Sequence, residues 1–297
     1  MPVKTVVVID NVFSYNNEWN KLIYSVMLGH SFEKYTYEQF GAKSDNYANG
    51  AYPSSSFDLI NAGPNIYAGD ISYTSYALES YFGRIALNWD NKYILNASLR
   101  SDGSSRFAKN NFPSASFAWR ASNEGFFPKN KYVNDAKLRL SWGMTGSMAG
   151  VSNYAPLSLI SAGGASYNGS AGFQISQDAR ALTWEKASQF NIGFDIEMFQ
   201  SRLTLNVDMF YQKTTDLLFK KPVNASTGYT TLQSNIGSLE NKGLELALNG
   251  KILTGKFKWD LGGNISFVKN KLLSLIEGSE MYVVPSSGSN LLGGSMH

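Results

Sequence analysis

Carboxylates are the most chemically capable groups in this 297-residue chain, and Glu185, Asp195, Glu197, Asp208 and Asp216 fall within one short stretch of it. A glycoside hydrolase needs two such groups at a fixed separation, one of them with a raised pKa. Here the acids alternate with apolar residues, which marks solvated positions on one face of extended strands rather than a catalytic pair. Asp102-Gly103-Ser104-Ser105-Arg106 has the residue types of a cation or phosphate loop. It lacks the regularly spaced oxygen ligands of a calcium loop and the Gly-rich entry to a helix of a phosphate loop, so it reads as turn chemistry. Asp45, Asn46 and Asn49 are ordinary loop residues that could touch a cation. His30 has no second histidine near it in sequence and reads as a surface or lumen residue. Asn96-Ala97-Ser98 and Asn264-Ile265-Ser266 match the glycosylation pattern but lie inside strand-like segments.

Composition narrows the field further. With no Cys and only two His, thiolate zinc sites, disulfide frameworks and cysteine or histidine-based triads are excluded. Lys and Arg number 26 against 23 Asp and Glu, a net charge of +3, too small and too dispersed for a nucleic-acid binder. No enzyme activity, metal or cofactor is expected. The best candidates for ligand contact are aromatic residues in two long connections: Tyr47, Tyr52, Phe57 and Tyr67, then Tyr154, Tyr167 and Phe173. Such rings can stack on sugar rings or peptide side chains while a hydroxyl still hydrogen-bonds, or they can simply pack the loops down. Both readings stay open.

The elements that would position these residues are strands. From Gln189 to Glu197, Phe190, Ile192, Phe194 and Ile196 take one face and Gln189, Asn191, Gly193, Asp195 and Glu197 the other. Leu203, Leu205, Val207, Met209 and Tyr211 repeat the pattern after the short connection Phe199-Gln200-Ser201, as expected of an antiparallel hairpin. Further strands are predicted at Thr5 to Tyr15, Leu22 to Phe40 with a bend near Gly29, Ser72 to Trp89, Tyr93 to Ser101, and Ser114 to Ala121. Others are predicted around Leu138 to Trp142, Leu244 to Leu248 and Phe257 to Phe267, for about eleven or twelve in all. Short turns such as Asp90-Asn91-Lys92 contrast with long connections at Gly41 to Gly69 and Ala149 to Ala181, the asymmetry of an outer-membrane barrel. Trp89, Trp119, Trp142, Trp184 and Trp259 lie on or beside strand ends, where aromatic girdles meet the lipid interface. No stretch approaches the apolar length of a membrane-spanning helix. Alternation alone still fits a soluble sandwich, which also buries one strand face and wets the other.

Particular segments go further. Tyr81-Phe82-Gly83-Arg84, Leu99 to Phe107 and Phe112-Pro113-Ser114 follow one another; then come Leu138-Arg139, Ser141-Trp142-Gly143, Thr145-Gly146, Trp184-Glu185 and Gln189 to Asp195. Arg202-Leu203-Thr204, Tyr211 to Thr214 with Asp216-Leu217-Leu218, Gly237 with Asn241 to Glu245, Trp259-Asp260, Asn264 to Phe267 and Asn270-Lys271 complete the series. In order and spacing this resembles the barrel of SusC/RagA-type TonB-dependent outer-membrane transporters, most strongly over residues 72–275.

The resemblance implies an all-β, antiparallel transmembrane barrel in the outer membrane, with residues 1–297 forming one partial barrel domain. It implies about half the strands of a barrel that closes with about 22 around a plugged lumen. The plug domain is not recognised in this sequence, nor is a leader at Met1-Pro2-Val3-Lys4, so an internal barrel segment is expected that is not transport-competent alone. Implied partners are outer-membrane lipid, a surface nutrient-binding lipoprotein of the SusD type, and the TonB complex acting through the missing plug region. The implied function is import of a nutrient such as an oligosaccharide or peptide. Compared with the family pattern, a few residues are missing between Asn110-Asn111 and Phe112-Pro113, which puts the register of that hairpin in question. The alternative from another class is a soluble β-rich carbohydrate-binding module.

Overall fold

The computed structural model describes residues 2–45, 65–68, 72–128, 132–155, 157, 160–167, 170–175, 182–224 and 231–275. In chain order the strands are β1 (Pro2–Trp19), β2 (Leu22–Gln39), β3 (Ala42–Asp45), β4 (Asn65–Ala68), β5 (Ser72–Trp89), β6 (Tyr93–Ser104), β7 (Phe107–Arg120) and β8 (Val133–Ser147). They continue with β9 (Ile160–Tyr167), β10 (Ser170–Ile175), β11 (Glu185–Met198), β12 (Leu203–Thr215), β13 (Leu218–Pro222), β14 (Thr231–Asn235), β15 (Ser238–Thr254) and β16 (Lys258–Ser274). A 3-10 turn at Ala121–Asn123 is the only helical element among the described residues, and no helix among them is long and apolar enough to cross a membrane.

Ten of these strands form one antiparallel sheet in the order β1-β2-β5-β6-β7-β8-β11-β12-β15-β16. Each neighbour pair follows in sequence once β3–β4, β9–β10 and β13–β14 are set aside as separate two-stranded hairpins inserted in the long connections. The sheet is open, with β1 and β16 at its two edges. Strands of 12 to 18 residues exceed the 9 to 11 that cross a bilayer at a tilt, so they project beyond it. The tight connections Asn20-Lys21, Asp90 to Lys92, and Phe199 to Arg202 lie at one end. The inserted hairpins lie at the other, together with the two-residue turn Ser105-Arg106 between β6 and β7.

Left-handed residues close these turns. Asn20 has φ +54°, Asp90 +55° and Asn91 +51°, a conformation that Asn and Asp tolerate through their short polar side chains. Phe199, Gln200 and Ser201 adopt the same conformation in succession (φ +55°, +59° and +58°) with no such advantage. Asn134 offsets the strain: its Oδ1 accepts hydrogen bonds from the amides of Gln200 (2.6 Å) and Ser201 (3.3 Å).

Several expectations change in detail. β2 runs unbroken through Gly29, which pairs with Phe82, so there is no bend there. β7 is continuous through Phe112-Pro113, and its ladder with β6 shifts register once, between Asp102 and Ser104. The shift falls at Gly103 rather than at the expected deletion, and Pro113, which has no amide hydrogen, stands just outside the β7–β8 ladder that starts at Ser114. The described residues hold ten strands in the main sheet, one for each segment named from the sequence; the count of eleven or twelve rests on an allowance of 9 to 11 residues per strand plus connections, and the strands here are longer than that.

Candidate functional site

Register fixes two faces. Across the sheet, residues directly opposite share a face, and one row runs Leu28, Gly83, Leu99, Pro113 on β2 to β7, while another runs Trp142, Phe190, Tyr211 on β8 to β12. This face carries Ile85, Leu95, Phe117, Leu140, Ile192, Phe194, Val207, Met209, Leu246, Ile265 and Phe267. Many are solvent-exposed, Leu28 at 59% and Phe267 at 56%, so among the described residues the sheet presents a continuous, uncovered apolar band. A soluble monomer does not expose so large a patch. Trp19, Trp89, Tyr93 and Trp119 line its margin beside the tight turns, the placement of an interfacial aromatic belt.

The opposite face is polar. Arg84, Asn96, Ser98, Ser114, Ser116, Ser141, Gly143, Thr145, Gln189, Asn191 and Gln212 line a recess of about 540 Å³ that reaches from β5 to β12. A single recess shared by six consecutive main-sheet strands makes this face concave. Its floor is built of small residues and its donors are partly satisfied within the wall. The Ser98 and Ser114 hydroxyls are 2.7 Å apart, Asn191 Nδ2 donates to Ser141 Oγ (3.2 Å), and Gln189 Nε2 donates to Asn191 Oδ1 (2.9 Å). Arg84 Nη2 donates to Asn96 Oδ1 at 3.2 Å and has no acidic partner among the described residues.

Below the recess, toward the tight turns, a charged cluster spans three strands. Arg139 Nε and Nη2 donate to the two oxygens of Asp195, each at 2.8 Å, and Nη2 also donates to Asp208 at 3.0 Å. Lys137 and Asn206 complete the shell of Asp195 at 3.1 and 2.9 Å. Gly193 lies directly between Arg139 and Asp208 in register, and a side chain there would collide with both. Of the acids read as solvated, Glu185, Asp195, Glu197 and Asp208 are on the concave face, yet Asp195 and Asp208 are tied to a guanidinium. Glu197 accepts from Ser201 Oγ (2.6 Å), and Asp216 pairs with Lys186 (3.4 Å), so the five acids do not converge.

At the long-connection end, Phe107, Phe112, Val151, Leu182 and Trp184 form a buried cluster, with the Trp184 indole donating to the Ala108 carbonyl at 2.9 Å. It pins the connection after β8 onto the β6–β7 hairpin. Tyr154 belongs to this seam: its hydroxyl accepts from the Ser75 amide at 3.1 Å, while Asn153 donates to Thr74 (2.6 Å). Beside it the Arg106 guanidinium lies 4.4 Å from the Tyr76 ring centroid, and Tyr76 stacks on Tyr35 at 5.1 Å.

Of the other loop aromatics, Tyr67 lies in β4, Tyr167 in β9 and Phe173 in β10, whereas Tyr47, Tyr52 and Phe57 fall outside the described residues, as do Asn46 and Asn49. Asp45 pairs with Asn65 in the β3–β4 hairpin. Of the Asp102–Arg106 segment, Asp102 to Ser104 end β6 and Ser105-Arg106 make the turn: Asp102 accepts from Arg100 Nε (2.6 Å), and Ser105 exchanges hydrogen bonds with Ala77 through its amide and hydroxyl. His30 is on the apolar face, 3.2 Å from Glu79 Oε1, with its ring tilted against that of Tyr81 at 4.8 Å between centroids. Among the described residues no three His, Asp or Glu side chains are grouped as a metal site would need. The Arg139 cluster escaped sequence reasoning because its members lie 56 and 69 residues apart; only Gly193 amid bulky neighbours hinted at it.

An open antiparallel sheet with an apolar convex face, an aromatic margin, a polar concave face and hairpins gathered at one end is a wall of a membrane β-barrel. A family described as TonB dependent receptor-like, beta-barrel, matches residues 5–293, and the chain belongs to that family, whose barrels sit in the outer membrane. It is 32% identical over 280 residues to TonB-dependent receptor P39 of Formosa agariphila, covering 90% of this chain and 26% of that protein. It is 34% identical over 238 residues to the TonB-dependent receptor SusC of Bacteroides thetaiotaomicron, covering 75% and 24%. The structure of the RagAB peptide transporter superposes with a TM-score of 0.80 at 25% identity, over 99% of this chain and 33% of that one. The chain thus spans about a quarter of the length of these relatives and a third of the solved chain.

Proposed function

We propose that this chain forms part of the lumen wall of a transporter that imports an oligosaccharide or a peptide across the outer membrane. The observation that carries the proposal is the concave recess, whose small floor residues leave room for a hydrated solute while Arg84, Gln189, Asn191 and Gln212 offer donors and acceptors around it. A wall of this kind holds a polar solute loosely at many points rather than tightly at one, which suits passage. Similarity to a structure described as a peptide transporter supports the peptide class, and the oligosaccharide class follows from the resemblance to the SusC/RagA type.

In this proposal a surface lipoprotein of the SusD type covers the long-connection end, and the hairpin aromatics Tyr67, Tyr167 and Phe173, with Tyr47, Tyr52, Phe57 and Tyr154, meet the ligand at the mouth. Energy comes from the TonB complex through a plug that lies outside these residues. The wall alone performs no energised uptake. Replacing Gln189 and Asn191 together by Ala in the whole transporter is expected to lower uptake several-fold with the amount of folded barrel unchanged. Unchanged uptake, or energised import by residues 1–297 alone, overturns the proposal.

A further inference from the structure

On the convex face, the apolar band ends abruptly at the long-connection end in a block of lysines. One row across β12, β15 and β16 reads Lys213, Glu240, Lys271, and the row next nearer the membrane reads Tyr211, Lys242, Lys269. Immediately below come Met209, Leu244, Phe267 and then Val207, Leu246, Ile265. The six upper positions span about 10 Å across the strands and about 7 Å along them, the footprint of one lipid headgroup. Four ammonium groups face one carboxylate there. Glu240 lies 3.5 Å from Lys242 and accepts from the Tyr211 hydroxyl at 3.2 Å, while Lys213, Lys269 and Lys271 have neither ion-pair nor hydrogen-bond partner among the described residues.

Lys242 and Lys269 stand directly opposite each other in the ladder, an arrangement that costs stability unless an anion lies between them. Water is not the only medium at this level. Lysine stems lie along apolar surface while their ammonium groups reach the interface, and long connections mark the external side of a barrel. We infer that this block is a binding site for the phosphorylated headgroup of an outer-leaflet glycolipid, whose acyl chains lie on the Met209, Leu244 and Phe267 surface below it. Charge complementarity selects the headgroup, and continuity with the apolar band selects a lipid over a soluble anion.

The test uses the whole transporter in dodecyl maltoside, titrated with diphosphoryl lipid A and followed by native mass spectrometry and thermal unfolding. Lipid A is expected to raise the melting temperature, with zwitterionic phosphatidylethanolamine and free pyrophosphate producing no comparable shift. Each lysine contributes about fivefold to affinity, so Lys242→Gln with Lys269→Gln lowers it at least tenfold. Lys242→Arg with Lys269→Arg retains it. In lipid-free detergent the Gln pair melts no lower than the parent, because a like-charge pair has gone. Equal affinity in the Gln variant, equal binding of phosphatidylethanolamine, loss of binding in the Arg variant, or pyrophosphate binding as strong as that of lipid A overturns the inference.

Discussion

Phe82 lies against Gly29, its directly paired residue on the neighbouring strand, so closely that a Cβ on Gly29 would collide with Cε2 and Cζ of the ring. The Arg100 guanidinium covers the same ring, 5.5 Å from its centroid. Phe210 and Gly243 repeat the relationship across β12 and β15, where a glycine Cβ would come within 2.7 Å of Phe210 Cε1. Both pairs are on the concave face, so an aromatic ring is laid on the wall where it would otherwise project into the lumen.

Gly29→Ala is therefore expected to force the Phe82 ring off the wall and to destabilise the barrel by about 1–3 kcal/mol, the range for overpacking. Phe82→Leu in the same protein should recover most of that loss. Unfolding of the whole transporter in detergent, scored by heat-modifiable mobility, measures both; an Ala variant as stable as the parent contradicts the packing argument.

Arg139 holds two carboxylates at once, and Gly193 makes the room for it. Removing the guanidinium leaves two carboxylates as diagonal neighbours on adjacent strands, Asp208 without its cation and Asp195 with only Lys137 and Asn206. In a fully buried site that costs 3–5 kcal/mol, but here the side chains are a fifth to two-fifths exposed. Arg139→Met is expected to cost about 1–2 kcal/mol after allowing for that screening. Asp208→Asn should restore part of it, and a double-mutant cycle on unfolding free energy reads the coupling.

The strands were legible because their signal is local: Phe190, Ile192, Phe194 and Ile196 declare a face without reference to anything else in the chain. The hairpin β9–β10 was not legible, since Ile160–Tyr167 is a run of Gly, Ala and Ser with no alternation. Gly29 looked like a bend because the reason for it, Phe82, lies 53 residues away on another strand (82 − 29). The same holds for the site. Alternation placed Asp195 and Asp208 on the wet face, but only register brings Arg139 to them. Tyr154 was legible as a loop aromatic, whereas its bond to the Ser75 amide depends on how the connection folds back.

The Phe199-Gln200-Ser201 turn stores strain that its sequence does not explain. A non-glycine residue in the left-handed region costs about 1 kcal/mol or more, and three in a row persist because Asn134 accepts from two of the amides. Gln200→Gly is expected to stabilise the barrel by about 0.5–1 kcal/mol. Asn134→Ala is expected to destabilise it and to speed hydrogen exchange at Gln200 and Ser201. Exchange at these amides unaffected by Asn134→Ala would show that the turn is held by something else.

At the tight-turn end, Glu124 gathers three donors: the Tyr93 hydroxyl at 2.6 Å, the Trp119 indole at 3.2 Å and the Lys92 ammonium at 3.4 Å. The two hydrogen bonds, first that from Tyr93, hold its carboxyl below the usual carboxylate range. Asp90 is depressed in the same direction, chiefly by Lys21 at 3.0 Å. A group whose folded pKa lies below its unfolded one stabilises the fold above the unfolded value, about 4.3 for Glu, and loses that contribution as pH falls through the folded value. Stability of this end is thus expected to be level from neutrality to about pH 5 and to decline below the ordinary carboxylate range. Glu124→Gln removes its share of the decline while keeping an acceptor for Tyr93 and Trp119. Hydrogen exchange over residues 119–128, measured from pH 7 to pH 3 and corrected for intrinsic rates, should show protection falling with acid in the parent and less so in the variant. Parallel profiles would mean that Glu124 titrates as it does in the unfolded chain.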